Sequence, residues 1–470
     1  MSIIGRKQEI RELEDFYYSG RPEFIIVYGR RRVGKTFLVK EYFKEDFAFY
    51  YTGKIGSSKK ENLADFDKAM KEYGSDDDTP SKNWSDAFHK LKYLLQKSNS
   101  QRKVVFIDEM PWLDTKKSAF LTAFDYFWNS YASSDKDILF IGCGSSTSWI
   151  TKKIFNNRGG LHNRVTGRIY LSPFTIGECE EFFKSRDIEI DRFKLAECYM
   201  IFGGIPYYLG LFNRRLSFEQ NVDMLCFSKN APLKNEYKEL YMSLFDNPDH
   251  HIAIIEALSG KLSGLTRNEI SKAAGIQSNG RYTTVLNELE QNDFITVYAN
   301  TLKQKNNVYY FLSDPFTLFY LRYMKDNITK DEYYWTGNTD KGSRYAWRGY
   351  AFEILCRLHL RQIKKALGIS GVSTITTSWC SKDSKPGAQI DMIIRRKDGI
   401  INLCEMKYTN QPFIIDKAYS EVLTNKKKVF YMETSSRQTV HLTMITTYGV
   451  SKKGYFGTVQ SEVTLDDLFD

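Results

Sequence analysis

The 470-residue sequence predicts an α/β fold: a parallel sheet clothed in helices to about residue 235, a helical unit ending in a hairpin, and a small mixed α/β unit. Three observations predict it. Short continuous apolar runs alternate with helical stretches in the first half, as strands buried on both faces do. Near residue 240 the pattern changes to three short helical segments and two strand-like runs. Beyond residue 340 a helix leads into two apolar strands.

In the first segment, 1–235, the runs at 24–28 (FIIVY), 47–51 (FAFYY), 104–107 (VVFI) and 138–141 (ILFI) are rich in β-branched and aromatic residues. They read as strands, with helices at 61–72 and 84–96 between them and right-handed crossovers. In the second segment, 240–330, residues 252–258 have helical periodicity. Thr266 and Glu269 form a capping box that opens a second helix, Gly275 ends it, and 282–291 reads as a third. Strands at 294–298 and 308–312 flank a polar tip at 300–307, completing the outline of a winged helix-turn-helix. A polar linker, 327–343, leads to the third segment, 340–470, with a helix near 350–365 and strands at 390–394 and 400–405.

Composition sets outer bounds. Charged residues are 26% and hydrophobic ones 42%, a folded and soluble profile. A net charge of +10 favours a polyanionic partner. Seven cysteines with no CxxC pair predict neither a zinc site nor a disulfide framework, which suits a reducing cytoplasm. Neither a membrane span nor a signal peptide is expected.

The strand at 24–28 runs into GRRRVGKT at 29–36: Gly29, Arg30, Arg31, Arg32, Val33, Gly34, Lys35 and Thr36. A glycine-edged loop between strand and helix wraps phosphates with backbone N–H groups, so ATP is the expected ligand. Lys35 would reach the β- and γ-phosphates, and the Thr36 hydroxyl would ligate Mg2+. The apolar run 104–107 delivers Asp108 to hold the metal and Glu109 to polarise the attacking water. The strand at 138–141 ends in GCGSST, where Ser145 is a candidate γ-phosphate sensor or part of a tight turn. Arg158 and Arg164 are candidate arginine fingers, whereas Arg168 opens a strand and serves better as a structural pair.

In the third segment, Asp391 opens one strand and Glu405-Met406-Lys407 closes the next. That spacing sets Asp391, Glu405 and Lys407 at one sheet edge, with Asp391 and Glu405 as divalent-metal ligands and Lys407 orienting the nucleophile. Glu353 on the preceding helix would complete the shell. Lys382, Lys385, Arg395, Arg396 and Lys397 nearby suit a phosphate backbone or a plain solvated surface.

IGR at 4–6, GRRRVGKT, FIDEM at 106–110, CGSS at 143–146, LSPF at 171–174 and GGIPYYL at 203–209 occur in order. Together they resemble the archaeal-type ATPase family, a branch of the AAA+/STAND-like P-loop proteins of archaea and bacteria. The resemblance implies a P-loop NTPase sheet with a helical lid. It also places Gly5 and Arg6 in an adenine-side motif and Pro206 beside the base. Glu353, Asp391, Glu405 and Lys407 resemble the motif of the PD-(D/E)XK nuclease fold, which includes restriction enzymes and Holliday-junction resolvases.

The reading that results is an ATPase that couples ATP binding and hydrolysis to DNA, branched or junction-like DNA included, with nuclease activity open and homo-oligomers allowed. Arg281 and Thr283 on the third helix and Lys303 and Lys305 in the wing are its candidate DNA contacts, the alternative being a winged helix that serves only as packing between domains. The competing reading is a STAND-like switch that changes assembly around protein partners.

Overall fold

The computed structural model describes residues 2–156, 159–161, 163–245, 247–261, 264–299, 308–327, 331–338, 342–381, 384 and 386–470. The chain forms two compact units, Met1–Pro173 and Phe174–Asp470.

The first unit is built on five parallel strands: β1 (Glu23–Tyr28), β2 (Phe49–Thr52), β3 (Lys103–Asp108), β4 (Ile138–Gly144) and β5 (Gly167–Tyr170). Their spatial order is β2-β3-β4-β1-β5. Helix α1 (Lys7–Tyr17) precedes the sheet and α2 (Lys35–Phe43) follows β1. Helices α3 (Lys59–Glu72) and α4 (Trp84–Lys97) link β2 to β3, and α5 (Phe120–Ser130) lies between β3 and β4. Phe24, Phe49, Val105 and Phe140 of the sheet form a core with Phe66, Trp84, Phe88, Phe120 and Phe124 of α3, α4 and α5. Aromatic rings of this size explain why short strands can anchor long helices: each buries a large apolar area.

Two strand ends differ from the sequence expectation. β2 starts at Phe49 because Phe49 to Thr52 pair with Val105 to Asp108, leaving Phe47 to pack on Phe43 instead. β4 continues through Gly142, Cys143 and Gly144, which pair with Ile26, Val27 and Tyr28. Since β1 lies between β4 and β5, the chain reverses its winding there, and the carboxyl ends of β1, β3 and β4 open on one crevice.

The second unit begins with helices Ile176–Lys184, Arg192–Phe202 and Pro206–Gly210. Helices Asp249–Ser259, Arg267–Ala274 and Gly280–Gln291 come next, with a small antiparallel sheet ordered β6-β8-β7. Its strands are β6 (Leu265–Thr266), β7 (Ile295–Ala299) and β8 (Val308–Leu312). The capping box of Thr266 and Glu269 forms, and Gly275 caps that helix at φ 66°. Lys303 and Lys305 lie outside the described residues.

Helices Gly342–Leu358 and Leu360–Ala366 lead into a five-stranded mixed sheet. It contains β9 (Thr374–Cys380), β10 (Gln389–Arg396) and β11 (Ile400–Lys407), then, beyond the short β12 (Phe413–Ile415), β13 (Thr439–Thr446). β14 (Val450–Gly454) pairs with β12, and β15 (Ser461–Thr464) closes the order β15-β13-β11-β10-β9. β10 pairs antiparallel with both β9 and β11, while β11, β13 and β15 run parallel. Helix Lys417–Thr434 makes the crossover from β12 to β13 and buries Leu423, Val429 and Phe430 against the sheet.

Residues 174–235 pack with the later chain, so the boundary expected near 235 falls inside the second unit. A buried charge is one of the ties. Glu197 on helix Arg192–Phe202 is fully buried and accepts hydrogen bonds from Arg344 and Arg348 on helix Gly342–Leu358, each at 2.8 Å. A buried carboxylate without such partners would cost several kcal/mol (about 3–5), which ties these helices together. Arg344 also stacks on Trp335, 3.7 Å from its ring centre. Tyr408 adds a second tie, its ring stacked on Phe193 and its hydroxyl donating to the Phe193 carbonyl.

Candidate functional site

The phosphate loop follows from local backbone demands. Gly29 adopts φ 141°, and a Cβ there would stand 2.3 Å from the Leu171 carbonyl oxygen, so only glycine lets the loop pass β5. Gly34 precedes α2 at φ 93° and offers no side-chain cap, leaving the N–H groups of the first turn to other acceptors. Arg32 also takes a positive φ, 71°, as loops that turn N–H groups inward require. Lys35 is buried, and its Nζ donates to the carbonyls of Gly29 (3.1 Å) and Arg30 (2.9 Å).

Beside this loop the Thr36 hydroxyl donates to Asp108 Oδ2 at 2.8 Å, which joins the start of α2 to the tip of β3. Asp108 Oδ1 accepts the Glu109 N–H at 3.0 Å. Glu109 takes a left-handed conformation, φ 48°, and this turns its carboxylate toward β4. There it accepts the Ser145 hydroxyl at 3.1 Å and the Ser145 N–H at 3.3 Å. Burial raises the Glu109 carboxyl above its ordinary range; Lys35 and the Ser145 bonds partly offset that, and Asp108 adds to it. Arg6 reaches the loop as well, donating to the Val33 carbonyl at 3.1 Å, with Gly5 at φ 62° turning the chain toward it.

Lys35, Thr36, Asp108, Glu109 and Ser145 therefore share one place, with Arg6 behind the loop. The Ser145–Glu109 pairing lay beyond the sequence, since nothing in GCGSST reveals which acid faces it. Arg164 is exposed in the turn ahead of β5. Arg168 lies over the Phe155 ring, 4.1 Å from its centre, as a structural cation–π pair. Arg158 lies outside the described residues. Pro206 belongs to the second unit, at the start of helix Pro206–Gly210. Just before it, Gly204 at φ 68° sits where a Cβ would be 2.3 Å from the Phe174 carbonyl oxygen, and the Phe174 N–H donates to the Gly204 carbonyl. This contact ties the GG pair to Phe174, the last residue of LSPF.

A second charged centre lies in the second unit. β10 and β11 are paired so that Met392 faces Cys404, which brings Asp391 level with Glu405. Asp391 Oδ2 accepts the Met406 N–H at 3.0 Å. Glu405 is buried, with both carboxylate oxygens 2.7 Å from Lys426 Nζ on helix Lys417–Thr434 and Tyr419 donating at 3.4 Å. Glu353 contacts Arg357 one helical turn on, at 3.2 Å, and Arg357 also donates to the Asp391 carbonyl. Lys407 lies 5.6 Å from the Tyr419 ring centre.

Burial, then Asp391, pushes the Glu353 carboxyl up to about 8, against Arg357 and Lys407. The same two causes push Glu405 up to about 7, against Lys426 and Lys407. Burial leads and the neighbouring carboxylate adds to it, since each carboxylate disfavours ionisation of the next. Among the described residues, no group of three or more His, Cys, Asp or Glu side chains is set to hold a metal ion. The carboxylates instead diverge toward separate partners: Glu353 to Arg357, Glu405 to Lys426, Asp391 to a backbone amide.

The four residues expected here thus interact with one another, and three that the sequence did not single out, Arg357, Tyr419 and Lys426, surround them. Arg357 also reaches the small sheet, 4.9 Å from the Phe311 ring centre. On helix Gly280–Gln291, Arg281 is exposed, whereas the Thr283 hydroxyl is engaged by Arg267 at 2.6 Å. Among the surface cations expected nearby, Lys397 and Arg395 are described and Arg396 pairs with Asp398; Lys382 and Lys385 lie outside the described residues.

Comparisons with known proteins bear on the stretch that carries the first of these sites. Residues 3–212 match the family described as an ATPase domain predominantly from Archaea. An uncharacterized protein of Methanocaldococcus jannaschii is 27% identical over 367 residues, covering 77% of this chain and 78% of its own. An uncharacterized ATP-binding protein of the same organism is 45% identical over 40 residues, 8% of this chain and 68% of its own. Among solved structures, a Walker-type ATPase of Pyrococcus abyssi matches at TM-score 0.48 and 18% identity, over 68% of this chain and 96% of that one. The ORC2 protein of Aeropyrum pernix matches at TM-score 0.43 and 14% identity, over 68% and 93%. Among the described residues, no helix is long and apolar enough to cross a membrane. Residues 3–212 thus carry the likeness to an ATPase domain predominantly from Archaea, over the stretch that holds the phosphate loop, Asp108, Glu109 and Ser145.

Proposed function

We propose that the chain is a magnesium-dependent ATPase that couples ATP binding and hydrolysis to DNA engaged by its second unit. For the ATPase half, the residues suit the ligand. The uncapped first turn of α2 offers N–H groups to anionic oxygens, and a hydroxyl with a carboxylate is a hard-oxygen pair suited to Mg2+. Bound ATP supplies a transferable terminal phosphoryl group, and the cation lowers its negative charge. Lys35 donates its ammonium protons to the phosphate oxygens in place of the loop carbonyls. Thr36 and Asp108 would hold the cation. Glu109 orients a water and accepts its proton, a task its raised affinity for protons favours. Ser145 aims that carboxylate. Gly5 and Arg6 serve the adenine side, and Arg158 or Arg164 acts between copies where copies associate.

For the DNA half, the observation that carries the reading is the mutual interaction of Glu353, Asp391, Glu405 and Lys407 at one sheet edge. Residues 340–470 are read as a PD-(D/E)XK nuclease-like module and 240–330 as a winged helix. Asp391 and Glu405, level on adjacent strands, are a pair whose repulsion a divalent cation would relieve, and Lys407 would orient a water or steady a phosphate. Binding of linear and branched duplexes across a salt series tests the reading, and no binding at low salt rejects it. ATP hydrolysis with and without DNA tests the coupling, with Glu109→Gln as control. Magnesium-dependent nicking, if seen, should vanish in Asp391→Ala; wild type without nicking makes the module one for binding.

A further inference from the structure

Beside the acid centre lies a surface that ATP chemistry and metal chemistry leave unused. Residues 452–457 run Lys-Lys-Gly-Tyr-Phe-Gly, and all six are exposed. Tyr455 is 46% and Phe456 39% exposed, and rings left in water at that level forgo the free energy of burial. A firm backbone presents them. The Tyr455 N–H donates to the Ile415 carbonyl at 2.9 Å, and the Ser420 and Thr458 hydroxyls share a hydrogen bond at 2.8 Å. Under this turn is an open cleft of about 470 Å3, walled by Thr424, Lys427, Leu442, Tyr455, Gly457 and Thr458. None of these walls is a carboxylate. On helix Lys417–Thr434, Lys426 binds Glu405 while the next residue, Lys427, lines the cleft, so the cleft and the acid centre flank one helix. Among the described residues, Lys427, Lys452 and Lys453 enter no ion pair.

Three unneutralised lysines beside two presented rings match a polyanion whose base faces are free to stack. A duplex hides those faces between its own base pairs, whereas a single strand offers them together with its phosphates. We propose that this cleft binds single-stranded DNA, with Lys427, Lys452 and Lys453 on the phosphates and Tyr455 and Phe456 under the bases. An unpaired strand is thereby led along the helix toward Glu405. The inference rests on the reading of the second unit as DNA-engaging.

Fluorescence anisotropy of the full chain with a labelled oligothymidylate, and with a blunt duplex of equal length, tests it. The double variant Tyr455→Ala/Phe456→Ala should bind the single strand about tenfold more weakly or worse, with duplex affinity retained. Tyr455→Phe keeps a ring and should bind as wild type does. Lys452→Ala/Lys453→Ala should flatten the single-strand salt slope by about 1.4, roughly 0.7 for each phosphate that a lysine ceases to neutralise. The four side chains replaced are exposed, and an unchanged unfolding midpoint confirms that each variant folds. Undiminished single-strand binding by Tyr455→Ala/Phe456→Ala, with duplex still bound, overturns this cleft and leaves the DNA-engaging reading standing. Wild type that binds neither probe overturns both. Sedimentation supplies the remaining outcome: if the double variant loses self-association and keeps its DNA affinity, the rings are a contact between copies and the proposal falls.

Discussion

At the phosphate loop, one lysine stands against two adjacent acids at the tip of β3, and the loop with its lysine and threonine comes from a single run of eight residues. At the acid centre, three carboxylates from a helix and two strands crowd one edge, and the cations that quiet them come from elsewhere: Arg357 from the same helix, Lys426 from another. The consequence appears in the protons. Glu109 is raised by burial with Lys35 opposing, whereas Glu353 and Glu405 are pushed up to about 8 and 7 by burial and by Asp391. A loop can be poised for an anion by backbone geometry alone. A cluster of acids is held together only by its neighbours, so its integrity depends on side chains outside its own motif.

That contrast can be broken most severely at Lys426. Lys426→Ala leaves Glu405 buried beside Asp391 without its cation, and chemical denaturation at pH 8 should show a loss of about 3 kcal/mol. At pH 6 the loss should shrink, because Glu405 can then carry a proton. An equal loss at both values would mean that Lys426 acts by packing instead of charge. Next in size is Lys35→Ala, expected to weaken ATP affinity roughly a hundredfold, about 3 kcal/mol, while the unfolding midpoint moves little. Titration of fluorescent ATP reads the first quantity and thermal melting the second. Undiminished affinity would make the loop plain scaffolding and remove the basis of the comparison.

The pH dependence sharpens it further. In the unfolded chain Glu353 titrates near 4.5, and in the folded protein near 8, so the folded state holds the proton more tightly. Stability from this group is fully present below pH 4.5 and is lost as the pH rises toward 8. Glu353→Gln should therefore flatten the fall in stability between pH 5 and 8, as measured by denaturant midpoints across that range. A slope unchanged by the substitution would assign the proton elsewhere. The smallest effect belongs far from both centres: Thr266→Ala removes the capping-box acceptor of Glu269 N–H and should cost about 1 kcal/mol. Neither ATP affinity nor the pH slope should change in that variant.

Legibility followed the same division. The strands at 24–28, 104–107 and 138–141, the capping box at Thr266 and the hairpin strand at 308–312 were all readable, because each signal is local: an apolar run, a cap, a turn. Helix Lys417–Thr434 and strands β12 to β15 were not. Only Leu423, Val429 and Phe430 of that 18-residue helix are buried, too sparse a stripe to mark it, and β14 reads as a polar run because its end is exposed. At the sites, Lys35, Thr36, Asp108 and Glu109 could be named from spacing. Ser145 could be named but not paired, and Lys426 sits in a run of three lysines with nothing local to distinguish it from Lys427 or Lys428.

By itself, then, the sequence determined the parallel sheet, the phosphate loop and the acids at two strand ends, since backbone propensity and motif spacing act over a few residues. Only the tertiary structure decided which charges meet. Glu197 is buried between Arg344 and Arg348, the αL turn at Glu109 aimed it at Ser145, and the crossover helix brought Lys426 onto Glu405. Those pairings span tens to hundreds of residues, and the energy of a buried charge depends on what the fold places beside it.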